Sequence, residues 1–322
     1  MMYLMVLAGF VCLLGGADIL VRGAVALAQR LNISPLIIGM TVIAFGTSAP
    51  EFLVSLRAAM ADASAMAIGN VVGSNVANIL LILGAAALVS PIKLKRFAMV
   101  RDGMILLVGS LLFSWFCWTG EIDFMKGGVL LVLFLAFMLT TYIRESRNIK
   151  SGATADEGEL EDFKGLEKSL WLTWMALIAG LAGVLFGSEL LVDGGISVAR
   201  HHGVSEEVIG LTILAIGTSL PELAASVMAA FRGHADVALG NVVGSNLFNM
   251  LAVVGGVAVI LPLGVPEQIQ NFDLWLMLAM TVLLLPFILL GWRLTRPVAS
   301  LFLILYTGYV AIQTIGVSEV FG

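Results

Sequence analysis

The chain has 322 residues, 60% of them hydrophobic and only 12% charged, with a mean hydropathy of +1.03. A soluble domain carries roughly 25% charged residues, so this composition excludes a water-soluble globular protein and points to one that crosses a lipid bilayer several times. The net charge of −5 is no guide to partners, because many of the acids lie in one segment, "ADEGELEDFKGLE". No nucleic-acid signature, soluble catalytic domain or glycine-rich phosphate loop is present.

Apolar runs of the length needed to cross about 30 Å of hydrocarbon recur along the chain. In order they cover about 2–29, 35–57, 65–90, 101–119, 125–144, 170–199, 205–230, 236–262, 272–292 and 297–317. The opening run lacks the basic flank of a signal peptide and reads as the first membrane helix. Cys12 and Cys117 both fall inside apolar runs, which indicates neither a disulfide framework nor a thiolate metal site. The polar, acidic stretch 145–169 reads as a flexible cytoplasmic linker.

Two motifs occur twice at one spacing. "TVIAFGTSAPE" begins at Thr41 and "TILAIGTSLPE" at Thr212, 171 residues later. "GNVVGSNVANILLILG" and "GNVVGSNLFNMLAVVG" stand the same 171 apart, as do Asp18 and Glu189, and Asp102 and Asp273. The chain is therefore a duplication: repeat 1–144, linker 145–169, repeat 170–322. Five spans per repeat is an odd number, so the second repeat enters the membrane in the opposite sense. The expected fold is all-α, with ten transmembrane helices forming two inverted five-helix repeats. Loop charges agree. Arg30, the cluster Lys93 to Arg101, Arg144 to Lys168, Arg232, Arg293 and Arg296 share one side, against only Arg57, Lys126 and Arg200 on the other. The positive-inside rule makes the first side cytoplasmic and places both termini outside.

Glu51 and Glu222 sit well inside spans two and seven. A charged side chain at a helix centre costs about 2.5–3.5 kcal/mol on insertion scales, so a cation or proton is expected to compensate. Pro50 and Pro221 remove the helical partners of the Gly46 and Gly217 carbonyls. Irregular backbone at that depth survives only inside protein or along a cavity. Thr47, Ser48, Thr218 and Ser219 add hydroxyls at the same break. In span three, Ser74 and Asn78 share one helical face with Asn70 above them, and Ser245, Asn249 and Asn241 repeat this in span eight. Carboxylate, hydroxyl, amide and carbonyl oxygens, with no thiolate or imidazole, suit hard cations such as Ca²⁺. Two carboxylates neutralise one Ca²⁺ or two Na⁺. Asn70, Asn75, Asn241 and Asn246 read as packing and backbone-satisfying residues. Asp18 is expected to pair locally with Arg22, and His201, His202 and His234 to be solvated.

With "GTSAPE", "GNVVGSNVAN", "GTSLPE" and "GNVVGSNLFN" in hand, the chain resembles the calcium:cation antiporter superfamily, in its bacterial sodium/calcium exchanger-like branch. The resemblance covers essentially the whole chain. It implies calcium ligands at Glu51 and Glu222 with the backbone oxygens of Thr47 and Thr218. It implies sodium positions at the carbonyls of Ala44 and Ala215 with Ser74 and Ser245, and amides at Asn78 and Asn249 facing the middle of the site. Some relatives carry an aspartate at the position of Asn249, whereas this chain has asparagine in both copies. The resemblance also makes spans one and six candidates for a sliding element.

The function expected is a secondary antiporter, not an enzyme, exchanging Ca²⁺ for Na⁺ across a bacterial-type inner membrane with no cofactor beyond its transported ions. A Ca²⁺/H⁺ antiporter or a K⁺-dependent exchanger is the alternative on the same scaffold. A channel and an intramembrane hydrolase are disfavoured, the latter because both glutamates follow proline in an oxygen-rich setting and no Asp pair, Ser–His or His–Glu metal motif is present.

Overall fold

The computed structural model describes residues 1–93, 99–150, 169–202 and 217–317. The first half runs α1 (Met2–Leu31), α2 (Pro35–Ile38), a π turn (Gly39–Ile43), α3 (Ala44–Thr47), α4 (Ala49–Met60) and α5 (Ser64–Ala77). A second π turn (Asn78–Ile82), α6 (Leu83–Val89), α7 (Val100–Trp118), β1 (Glu121–Ile122) and α8 (Phe124–Lys150) complete it. The second half contains α9 (Leu170–His201), α10 (Leu220–Phe231), α11 (Ala235–Leu247), a π turn (Phe248–Val253) and α12 (Val254–Ile260). It ends with β2 (Leu263–Gly264), a π turn (Ile269–Asp273), α13 (Leu274–Leu289) and α14 (Arg296–Ile315).

Among the described residues eight helices are long and apolar enough to cross a membrane, and Pro35–Thr47 with Ala49–Met60, bent by 41°, makes a ninth. This is a multi-pass membrane protein. Of the expected span 205–230, only the part from Gly217 onward is described. One boundary differs from expectation. Helix α8 continues to Lys150, into the segment read as linker; Arg and Lys in that stretch are good helix formers, and low hydropathy ends a membrane span without ending a helix. The rest of the expected linker, 151–168, lies outside the described residues.

The two helices that open the halves, α1 and α9, pack antiparallel through a ladder of glycines. A Cβ on Gly9 would sit 2.7 Å from the Leu191 backbone, on Gly16 2.5 Å from Val184, on Gly180 2.4 Å from Leu20 and on Gly187 2.3 Å from Leu13. The contacts are reciprocal: Gly180 and Leu191 are the 171-offset equivalents of Gly9 and Leu20, so each pairing occurs once in either direction. Bare backbone faces let the helices approach closely enough for dense van der Waals packing, which drives association in lipid.

The motif-bearing helices lie innermost. Of the apolar stretches Ser64–Val89 and Ala235–Ile260, 78% and 83% are buried, against 17% for α14. Helix α11 lies backbone to backbone on α2 and the first π turn; Cβ atoms on Gly240 and Gly244 would meet the carbonyl oxygens of Leu36 and Met40 at 2.5 and 2.4 Å. At the ends of the bundle short strand contacts tie one half to the other. Ile122 pairs with Leu263, and Ile92 bridges Leu294. Ile92 and Leu263 are again 171 apart.

Filling the glycine ladder tests its packing. Gly187→Val is expected to destabilise the detergent-solubilised protein by about 1–3 kcal/mol, whereas Gly15→Ala, where an added Cβ meets nothing within 4 Å, leaves the unfolding midpoint unchanged.

Candidate ion-binding site

Both proline–glutamate motifs form helix N-termini. Between α3 and α4, Ser48 leaves helical geometry (φ −87°, ψ 6°), and Ser219 ahead of α10 takes the same conformation (φ −90°, ψ 2°). Pro50 and Pro221 occupy the first positions of the new helices, where a missing N–H removes no hydrogen bond. Glu51 and Glu222 therefore fall in first turns, where the helix dipole favours a negative charge. Both are almost wholly buried, at 1% and 2% exposure.

The breaks of the two halves meet. Ser48 donates its hydroxyl to Glu222 Oε1 at 2.8 Å, so the first half's break touches the second half's acid. Thr47 lies beside Glu222 and gives its hydroxyl to the Ile43 carbonyl at 3.0 Å. Because Ser48 lies three residues before Glu51, its bond to Glu222 brings the two acid-bearing breaks into one neighbourhood. Among the described residues no lysine or arginine forms an ion pair with either.

The asparagines join the halves in matched pairs. Asn78 donates to Asn246 Oδ1 at 2.9 Å, and Asn249 donates to Asn75 Oδ1 at 3.4 Å. Each pair is the 171-offset image of the other. Asn70 and Asn241 brace the acid-bearing helices, donating to Ser55 at 3.0 Å and to Ser226 at 2.9 Å, and Asn70 also reaches the Glu51 carbonyl at 3.3 Å. Of the four asparagines expected to serve packing and backbone, only Asn70 reaches a backbone carbonyl; Asn241 bonds a serine side chain, and Asn75 and Asn246 hold the amides of Asn249 and Asn78. Spacing along one helix cannot reveal a partner on another.

Among the described residues, the buried oxygens without a hydrogen-bond partner include Glu51 Oε2, Glu222 Oε2, Asn78 Oδ1, Asn249 Oδ1, Ser219 Oγ and Ser245 Oγ, together with oxygens of Gln29, Ser110, Ser114 and Asn241 outside the expected ligand set. Buried polar atoms are nearly always satisfied, and six of the expected ligand residues are among the exceptions. All the atoms are hard oxygens, the donor set of alkali and alkaline-earth cations. Ser74 on α5 and Ala44 on α3 are buried, and Thr218 is half-buried at the second break. None of the three hydrogen-bonds either acid among the described residues. Ala215 lies outside the described residues.

Two expectations outside the site change. His234, expected to be solvated, is only 4% exposed and occupies the N-cap position of α11; its neighbours in sequence gave no sign that the loop tucks under the bundle. Asp18 pairs with Arg22 at 2.9 Å as expected, but also with Arg232 at 2.5 Å, which joins α1 to the end of α10.

A sequence profile described as "Sodium/calcium exchanger protein" matches residues 1–143 and 172–315, nearly the whole chain outside the linker. The chain belongs to the sodium/calcium exchanger family. Its relatives include the sodium/calcium exchanger MaX1 of Methanosarcina acetivorans, 33% identical over 96% of this chain and 97% of that one. The inner membrane protein YrbG of Escherichia coli is 35% identical over 90% of this chain and 88% of its own length. Among solved structures, the sodium-calcium exchanger NCX_Mj, soaked with sodium and calcium, superposes with a TM-score of 0.82 at 32% identity, covering 96% of this chain and 97% of the other. Membership of this exchanger family makes the protein a cation exchanger, a transporter class rather than an enzyme class.

The amide pairs give a test. Asn246→Ala leaves the Asn78 amide without its acceptor, and is expected to weaken ion binding by about 1–3 kcal/mol. Asn78→Ala combined with Asn246→Ala is expected to cost less than the sum of the single changes, as read from calcium affinity of the purified protein.

Proposed function

We propose that this exchanger carries Ca²⁺ against Na⁺ across a bacterial-type inner membrane, using one mid-membrane site shared by the two ions. The observation that carries the proposal is the group of partnerless oxygens around Glu51 and Glu222. Two carboxylates in a low-dielectric interior repel strongly unless positive charge lies between them. One Ca²⁺ or two Na⁺ supplies it, so one ion species leaves as the other arrives. The names of MaX1 and NCX_Mj as sodium/calcium exchangers support the same pair of ions.

In this reading Glu51, Glu222 and the carbonyls of Thr47 and Thr218 take calcium. Ser74, Ser245 and the carbonyls of Ala44 and Ala215 serve sodium. Asn78, Asn249, Ser48 and Ser219 line the middle. The cargo needs no resident cofactor, and no covalent bond is made or broken.

The architecture proposed is ten spans in two inverted five-helix repeats, 1–144 and 170–322, joined through 145–169, with both termini on the non-cytoplasmic side. The antiparallel packing of α1 on α9, the matched amide pairs and the reciprocal strand contacts support it, as does the distribution of basic loops. Alternating access follows if the glycine-knit α1–α9 pair slides as a unit past the helices that carry the site.

Calcium uptake into everted membrane vesicles tests the ion pair. A sodium gradient is expected to drive uptake with the proton gradient collapsed; uptake driven only by a pH gradient would instead identify a Ca²⁺/H⁺ antiporter. Glu51→Gln and Glu222→Gln are each expected to reduce transport at least a hundredfold while inserting normally, because each removes half of the compensating charge from a desolvated divalent ion. Residual transport near the wild-type rate in either variant would place the ion elsewhere.

A further inference from the structure

The duplication gives each half a second buried acid at the start of the helix that follows the site-bearing pair. They are Asp102 on α7 and Asp273 at the end of the π turn before α13, 1% and 4% exposed. Their surroundings differ in charge. Asp102 is neutralised by Arg101 at 2.9 Å. The position equivalent to Arg101 in the second half is Phe272, and Asp273 forms no ion pair among the described residues. Of the stretches outside them, 203–216 and 318–322 contain no lysine or arginine, whereas 94–98 and 151–168 hold Lys95, Arg96, Lys164 and Lys168.

The groups around Asp273 are neutral and rich in oxygen. The Tyr309 hydroxyl donates to Asp273 Oδ1 at 3.2 Å, and the Gln313 amide donates to the same oxygen. The exposed Gln268 in turn donates to Gln313 Oε1 at 3.0 Å. The chain of contacts then turns inward. The Tyr309 hydroxyl lies 4.0 Å from where a Cβ on Gly73 would stand, and Gly73 precedes Ser74 on α5. One turn further along α13, Met277 accepts from Asn75 at 3.7 Å. A carboxylate, a phenol and an amide thus link the exposed Gln268 to α5, which carries Ser74.

We infer that Asp273, with Tyr309, Gln313 and Gln268, is a staging site for sodium between the non-cytoplasmic surface and the central acids. The inference rests on the exchange reading above. One carboxylate balances one monovalent charge, whereas a divalent ion would leave a net positive charge buried. The phenol oxygen and the amide oxygens, turned inward by rotation of the two glutamine side chains, provide neutral hard ligands. A fixed charge on the entry route raises the local concentration of a cation before it reaches the site.

The full-length protein in vesicles of known orientation tests this. Asp273→Asn keeps the shape of the side chain and removes its charge. It is expected to raise the sodium concentration for half-maximal calcium exchange about tenfold on the face that holds the termini. The value on the opposite face, and calcium–calcium exchange without sodium, stay unchanged. Tyr309→Phe shifts the same value in the same direction by less. No change on the terminal face, or equal changes on both faces, overturns the assignment; equal changes would mean that Asp273 only ties α13 to α14. Sodium binding to the purified Glu51→Gln/Glu222→Gln double variant separates this inference from the exchange reading. Residual binding that Asp273→Asn abolishes supports the staging site whether or not calcium is transported; absence of residual binding refutes it.

Discussion

Two carboxylates buried in one neighbourhood, with no lysine or arginine paired to them among the described residues, set the terms for the rest of this protein. Either acid alone would cost a membrane helix about 2.5–3.5 kcal/mol. Together they are tolerable only where positive charge can come and go. The local architecture reduces the cost without abolishing it. Each acid sits in the first turn of a helix, where dipole and free N–H groups favour an anion, and Glu222 also receives the Ser48 hydroxyl. The second oxygen of each acid keeps no hydrogen-bond partner among the described residues, which is what the proposed transport site needs.

The surrounding scaffold keeps that arrangement fixed. The spans that contain α5 and α11 are the most enclosed and are cross-linked by amides, so Asn78 and Asn249 keep an unpartnered oxygen while their N–H groups tie one half to the other. Buried polar networks of this kind are stabilising only when their donors are satisfied, and here both pairs are. By contrast, the α1–α9 pair is knitted to itself by glycines and carries lipid-facing apolar residues such as Val11 and Ile178. The core and the α1–α9 pair are thus held by different chemistry, hydrogen bonds in one and bare backbone contact in the other.

Much of this was legible in the sequence because the gene duplication printed every important feature twice. The offset of 171 picked out Glu51 with Glu222 and Asn78 with Asn249 before any coordinates, and Pro50 and Pro221 marked the breaks. Other features were not legible, for definable reasons. The π turns at Asn78–Ile82 and Phe248–Val253 leave no mark in apolar periodicity. The pairing of Asn78 with Asn246 depends on which helices are neighbours, and so does the reach of Arg232 to Asp18. The burial of His234 reflects how a loop folds beneath the bundle. Helix α8 outlasts its membrane span because hydropathy reports the solvent, not the backbone.

The ion pair between Asp18 and Arg232 is a contact between the halves that the repeat does not mirror. Their counterparts by the repeat are Glu189 and Ala61, which cannot form a mirror-image contact. The pair joins α1 to the end of α10, and partly exposed pairs of this kind are worth at most about 1 kcal/mol. At that scale it is a tether on one half that the other lacks. Under the exchange proposed above, two halves alike in their motifs would then carry an unequal load.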